Sequence, residues 1–235
     1  DKFVKGGSDW TLGSKGYMVH ATIDGPFIYA VGMDQKVYKQ LLVKMTPDTD
    51  WVGPLSNAAE PVCSIAITDG FIYGVRKDKR VWKQVLARLS PDSQWDGPVS
   101  DEMEVTSLTV KGDMIYAVGT DAKIYRQSVH TMCNISRWEG PLSNTMDVKN
   151  IAFYGNKIYA VSTDNKVHWI IFQDFKPSSK WRDASQGEVT CLLICNADLR
   201  TACEALLQED WKDQGYHLEF REKAAQAQSG EAKWA

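Results

Sequence analysis

Apolar and polar positions alternate along this chain in short runs, and the runs recur. The phrases Ile28-Tyr29-Ala30-Val31, Ile72-Tyr73-Gly74-Val75, Ile115-Tyr116-Ala117-Val118 and Ile158-Tyr159-Ala160-Val161 begin 44, 43 and 43 residues apart. The last three follow another apolar run, at 62–67, 105–110 and 148–153, across a turn bearing Gly, Asp or Asn. Those residues tolerate the positive φ that tight hairpin turns demand. A second turn comes after each phrase: Asp34-Gln35-Lys36, Asp78-Lys79-Arg80, Asp121-Ala122-Lys123 or Asp164-Asn165-Lys166. A third run closes the unit, as Val37-Tyr38-Lys39-Gln40, Val81-Trp82-Lys83-Gln84, Ile124-Tyr125-Arg126-Gln127 or Val167-His168-Trp169. The runs are short and rich in β-branched and aromatic residues, so each unit predicts three antiparallel strands joined by tight turns.

A second anchor runs in phase. Trp10, Trp51, Trp95, Trp138 and Trp181 are spaced by 41, 44, 43 and 43 residues. Three of them open a Trp-x-Gly-Pro phrase, at Gly53-Pro54, Gly97-Pro98 and Gly140-Pro141. Gly-Pro is turn punctuation, and a fourth short strand is expected near each Trp. The sequence therefore predicts an all-β fold, a β-propeller of about five four-stranded blades starting near 10, 51, 95, 138 and 181. A helical solenoid would show apolar spacings of three and four, a leucine-rich repeat is shorter, and a β-sandwich has no cause to repeat its phrases.

The fifth unit is degenerate. Residues 187–194 align with 103–110, Leu199-Arg200-Thr201-Ala202 falls at the central strand, and no Asp-x-Lys-Val-Tyr phrase follows. Asp1-Lys2-Phe3-Val4-Lys5 resembles that missing phrase, so residues 1–5 are expected to close the last blade. The propeller is assigned to 1–204, and the extension 205–235, rich in helix formers, to a helical or disordered tail. In the rival reading a helix over 197–208 leaves four blades.

Bulk properties narrow the function classes. A net charge of −3 argues against electrostatic nucleic-acid binding, and the basic run Arg76-Lys77-Asp78-Lys79-Arg80 sits on a turn. No run of eighteen apolar residues predicts a membrane span, so a soluble protein is expected, with a secreted or lumenal setting left open. Cys63, Cys133, Cys191, Cys195 and Cys203 lack zinc-ligand pairing and read as buried thiols. Asn134-Ile135-Ser136 is a glycosylation sequon whose meaning depends on secretion.

Candidate chemistry is sparse. There is no nucleophile elbow, phosphate-binding glycine loop or His-Glu-x-x-His, and His20, His130, His168 and His217 share no repeat position. A non-enzymatic protein without cofactor or metal is expected, with a propeller hydrolase or lyase, its site assembled from one loop per blade, as the third reading. The repeated Asp34, Asp78, Asp121 and Asp164 are expected to bond nearby backbone amides rather than form a carboxylate ring. Trp51, Trp95, Trp138 and Trp181 are the candidate ligand-binding residues, since an indole face stacks on a sugar ring; wedging between blades is the competing role.

The phrase Ile-Tyr-Ala-Val-Gly-x-Asp-x-Lys-Val-Tyr, preceded by a Trp, resembles the tectonin-type repeat of β-propeller lectins. Residues 72–75 through Val81-Trp82 match it best, and the likeness covers residues 1 to about 204. This repeat departs by a longer loop, Thr46-Pro47-Asp48 or Ser90-Pro91-Asp92, ahead of the Trp. The resemblance implies a propeller and, by association, glycan binding. Two partners follow as expectations. One is clustered glycans held multivalently in the clefts between blades; the other is a protein assembly in which the chain is a scaffold subunit.

Overall fold

The computed structural model describes residues 13–184 and 189–193. Within them lie four successive antiparallel meanders: β1 (Met18–Asp24), β2 (Phe27–Gly32) and β3 (Val37–Leu41); β4 (Val62–Thr68), β5 (Phe71–Arg76) and β6 (Val81–Val85); β7 (Val105–Lys111), β8 (Met114–Gly119) and β9 (Ile124–Ser128); and β10 (Val148–Tyr154), β11 (Lys157–Ser162) and β12 (Val167–Ile171). A two-residue strand, β13 (Arg182–Asp183), joins the last sheet. The expected first strand, turn and Ile-Tyr-Ala-Val strand thus recur in every sheet.

Four-stranded blades are not the rule. In the first three sheets the expected fourth strand shrinks to one bridge: Lys39 with Val52, Lys83 with Asp96, Arg126 with Glu139. The cause is in the sequence. The next two residues are Gly-Pro each time, and proline has no N–H to donate to a ladder. The fourth repeat reads Trp181-Arg182-Asp183-Ala184 instead, and there the pairing extends to two residues, His168 with Asp183 and Trp169 with Arg182.

The second turn of each unit does double work. Gln35, Lys79, Ala122 and Asn165 hold φ of 61°, 59°, 59° and 66°. The aspartate before each accepts the amide of the residue after it, at 3.3, 3.0, 3.1 and 3.3 Å, as the sequence predicts for a turn aspartate. The bent carbonyl then points at the next unit. Val62 N–H donates to Gln35 O at 3.0 Å, Val105 to Lys79 at 2.8 Å, Val148 to Ala122 at 2.9 Å and Val189 to Asn165 at 2.7 Å. Each of the first three sheets is stapled to the first strand of its successor, and the fourth to the segment at Val189.

Those first strands also pack on one another, β1 on β4, β4 on β7 and β7 on β10. His20 of β1 lies within 3.5 Å of Ser107 on β7 and Asn150 on β10. Sequential neighbours and diagonal partners in contact require the four strands to circle a common axis. The core fills the wedges between sheets. Tyr29, Val31 and Val37 pack with Val62, Ile65 and Ile72 of the next sheet; Tyr73 packs with Leu108 and Ile115; Tyr116 packs with Ile151 and Ile158. Antiparallel sheets fanned around an axis with apolar wedges between them are the β-propeller arrangement. The expected closing strand at 1–5, the Trp10 start, the central strand of the fifth unit and the 205–235 tail lie outside the described residues.

Candidate functional site

Two places bring repeated residues together: the wedges that hold the tryptophans, and the mouth of the axis. Trp95 is 4% exposed and packs in one cluster with Tyr29 and Val31 of the first sheet and Ile65 and Ile72 of the second. Trp138 is 9% exposed and lies between the second and third sheets, with Tyr73, Val75, Leu108 and Ile115. Trp181 packs against the third and fourth sheets, is partly exposed, and donates its indole N–H to Ser143 Oγ at 3.2 Å. Trp51 is also partly exposed and donates to Lys15 O at 2.8 Å. The four candidate residues therefore occupy one repeat position but not one environment. Trp95 goes deepest because the neighbouring phrase carries Gly74 where the other repeats have alanine. A Cβ at Gly74 would stand 2.8 Å from the Trp95 ring. Neither Trp95 nor Trp138 finds a partner for its indole N–H among the described residues.

The axis is lined by a column that sequence reasoning missed. His20, Ser64, Ser107 and Asn150 occupy equivalent positions, one per first strand, and all are buried. Each strand is irregular one residue earlier, where the register slips between 18 and 20, 62 and 64, 105 and 107, and 148 and 150. Such bulges re-aim side chains. The extra residues Val19, Cys63, Thr106 and Lys149 are exposed, while the polar column beneath them is buried. Its side chains link one blade to the next. Ile65 N–H reaches His20 Nδ1 at 3.4 Å, Leu108 N–H donates to Ser64 Oγ at 2.9 Å, and Leu192 N–H donates to Asn150 Oδ1 at 2.8 Å.

With Nδ1 accepting, the His20 proton sits on Nε2, which faces Ser107 Oγ at 3.5 Å. Burial without a carboxylate partner pushes the imidazole down to about 4, so the ring is neutral. A uniform polar column is hard to read from sequence because it holds three residue types. Stacking the repeats would still have revealed it, as a polar position inside every apolar first strand.

The outer turns carry a second repeated contact. Tyr38 and Tyr125 donate to Asp34 and Asp121 at 2.8 and 2.6 Å, and Trp82 donates to Asp78 at 3.0 Å. Burial and Asp121 together hold the Tyr125 phenol up to about 12. In the fourth repeat Ser162 stands where the first and third have glycine, and His168 where they have tyrosine. Ser162 Oγ bonds Asp164, His168 Nε2 lies 3.1 Å from Ser162 Oγ, and His168 Nδ1 lies 3.0 Å from Asp183. Ser162 is 4% exposed, and its hydroxyl is held by Asp164 and Lys166 O. Among the described residues no three potential metal ligands come together, and no helix is long and apolar enough to cross a membrane.

No family model matches the sequence, and no curated protein does. Solved structures do. The beta-propeller domain of Cps50 (Swd1) from Myceliophteria thermophila matches with 11% identity over 77% of this chain and 59% of that one, at a TM-score of 0.46. BamB from Moraxella catarrhalis matches with 14% identity, covering 77% and 52%, at 0.44. The computationally designed Ika8 protein matches with 15% identity, covering 75% and 52%, at 0.43. The chain thus spans little more than half the length of these three. The radial order of its own sheets defines it as a β-propeller-type repeat protein.

Proposed function

We propose that this chain is a non-enzymatic binding module that engages one protein partner through an asymmetric propeller face. One observation carries the reading. Positions that repeat faithfully are consumed in packing: the tyrosines, Trp95 and Trp138 in the wedges, and the aspartates in the turns. The repeated aspartates are exposed but bonded to turn amides, whereas the exposed positions at the axial mouth differ between most blades. The first strands expose Val19, Cys63, Thr106 and Lys149, and the second strands end beside Met33, Lys77, Thr120 and Thr163. Clefts built on one plan with different rims suit a single asymmetric partner better than a repeated ligand.

We infer also that the ring has five members. Val189 takes the same staple as Val62, Val105 and Val148, and Leu192 N–H donates to Asn150 of the polar column as Leu108 N–H does to Ser64. These contacts support a fifth first strand at 189–193 that closes the circle.

A second reading, glycan binding, draws on the tectonin-type phrase and on the partial exposure of Trp51 and Trp181. In it those two indoles supply stacking faces, while Trp95 and Trp138 hold the sheets.

Co-purification on the tagged full chain separates the readings, using the single variants Met33→Glu, Lys77→Glu, Thr120→Glu and Thr163→Glu. Loss of one co-purifying protein from one or two variants, with the others unaffected, supports the protein-partner reading. Equal, graded loss of a mixture of glycoproteins from every variant refutes it.

A further inference from the structure

We propose that the axial mouth beside the first blade docks a peptide segment of a partner protein, anchored by an aromatic or leucine side chain and flanked by carboxylates. This rests on the protein-partner reading and names the partner's chemistry.

The blades differ from one another at this mouth. Met33 N–H donates to Tyr17 O at 3.2 Å, Thr120 to Glu104 at 3.1 Å and Thr163 to Asp147 at 3.1 Å. These bonds fix which residues are equivalent. On the third blade the exposed triplet at the mouth is Glu104, Thr106 and Thr120; on the fourth it is Asp147, Lys149 and Thr163. The 44-residue step gives Pro61, Cys63 and Lys77 on the second. On the first it is Tyr17, Val19 and Met33, with exposures of 82%, 43% and 71%. The same backbone thus carries polar or charged groups on two blades, a mixed set on one, and three apolar side chains on the first. Packing does not require them, because the other blades close without them. Large apolar side chains grouped at an exposed rim mark an interaction site, and a tyrosine and a methionine are the residue types that anchor interfaces.

Charge decides what kind of segment fits. The four turn aspartates at this end are committed to backbone amides and to Tyr38, Trp82, Tyr125 and Ser162. Lys79 pairs with Glu104 and Lys123 with Asp147. Lys77 and Lys149 have no carboxylate partner among the described residues; Lys149 bonds the neutral Asn165 amide at 2.7 Å. Lys149 precedes Asn150, whose amide lies 3.4 Å from His20, the residue after Val19. Lys77 is the counterpart of Met33 one blade on. An apolar patch with one ammonium on the next blade and another beside the axial column, neither paired with a carboxylate among the described residues, complements an apolar anchor with acidic neighbours.

The test selects a displayed library of short random peptides on the intact chain. Enriched peptides are then titrated, by fluorescence anisotropy, against the chain and against Met33→Glu, Lys149→Glu and Thr120→Glu. Met33 is exposed, so its variant is expected to fold. The expected peptides pair Phe, Tyr, Trp or Leu with Asp or Glu. Met33→Glu is expected to weaken them about tenfold or more, Lys149→Glu about threefold with a smaller salt dependence, and Thr120→Glu not at all. Acidic peptides that bind all variants alike would overturn the mouth as the site and leave the protein-partner reading standing, as would enrichment of basic or purely polar peptides. Self-association of the chain that Met33→Glu abolishes would assign the patch to a second copy, and displacement by a synthetic peptide of residues 1–12 would assign it to the chain itself; either overturns the proposal. Enrichment of no peptide, with binding to clustered glycans, refutes both readings together.

Discussion

Substituting His20 gives the sharpest test of the axial column. Its imidazole falls from an ordinary 6.5 to about 4 in the folded chain. Between those values the unfolded chain binds one proton more than the folded chain, so stability rises with pH across the window. The contribution is fully present above pH 6.5, declines by up to about 1.4 kcal/mol per pH unit on acidification, and levels off below about pH 4. Two to three units of depression amount to about 3 kcal/mol. The geometry agrees with this direction. A second proton would go to Nδ1, which accepts from Ile65 N–H, and Ser107 and Asn150 offer no negative charge in compensation. The assay is urea unfolding at steps from pH 7.5 to 4 on the parent and on His20→Ser, the residue that the second and third blades use here. The substitution removes packing at every pH, so the informative quantity is the change in the difference between the two chains. The parent is expected to lose about 3 kcal/mol more than the variant across the window. Parallel stability curves would refute the reasoning, as would an NMR titration placing the His20 ring near 6.5 in the folded chain.

Three further outcomes follow from the same contacts. Trp95→Ala should cost about 3–5 kcal/mol in denaturant unfolding, and Trp51→Ala distinctly less because its indole is partly exposed; equal costs would contradict the wedge role of Trp95. Gly74→Ala should destabilise by about 1–3 kcal/mol through its clash with Trp95, although alanine is the residue of the other three repeats, and a stabilised variant on thermal melting would contradict this. Thiol labelling followed by peptide mapping at mildly alkaline pH should modify Cys133 first. Hydrogen bonds from Ile135 and Ser136 hold its thiol below the ordinary value, while burial pushes Cys191 up to about 11; labelling of Cys191 ahead of Cys133 would contradict it.

Much of the fold was legible because a repeat makes its own control. Three copies of Ile-Tyr-Ala-Val and one of Ile-Tyr-Gly-Val at one period locate every central strand, and the Asp-x-Lys/Arg turns fall where the aspartates cap them. The fourth strand was overcounted for a reason that is local and visible afterwards. Pro54, Pro98 and Pro141 end the ladder one residue after the Trp, and Asp183-Ala184 lets it run on. The tryptophans show where periodicity stops being informative. Spacing places an indole once per blade but cannot distinguish a wedge from a platform, because burial depends on what the neighbouring sheet offers, such as the missing Cβ of Gly74. The axial column escaped notice because histidine, serine and asparagine share a position there rather than a residue type, with His20, Ser64 and Asn150 each accepting a backbone N–H from the next unit and Ser107 accepting the Asn150 amide. The asymmetry of the mouth became legible only when Tyr17, Glu104 and Asp147 were matched through the amides of Met33, Thr120 and Thr163.

The account holds that the repeated aromatics build the ring and that recognition lies in the residues that differ between blades. A broad glycan array probed with the intact chain, beside Trp51→Ala and Trp181→Ala, bears on this most directly. The expected result is no sugar binding by any of the three. Binding that falls stepwise as each partly exposed indole is removed would contradict it and return the function to the clefts between blades.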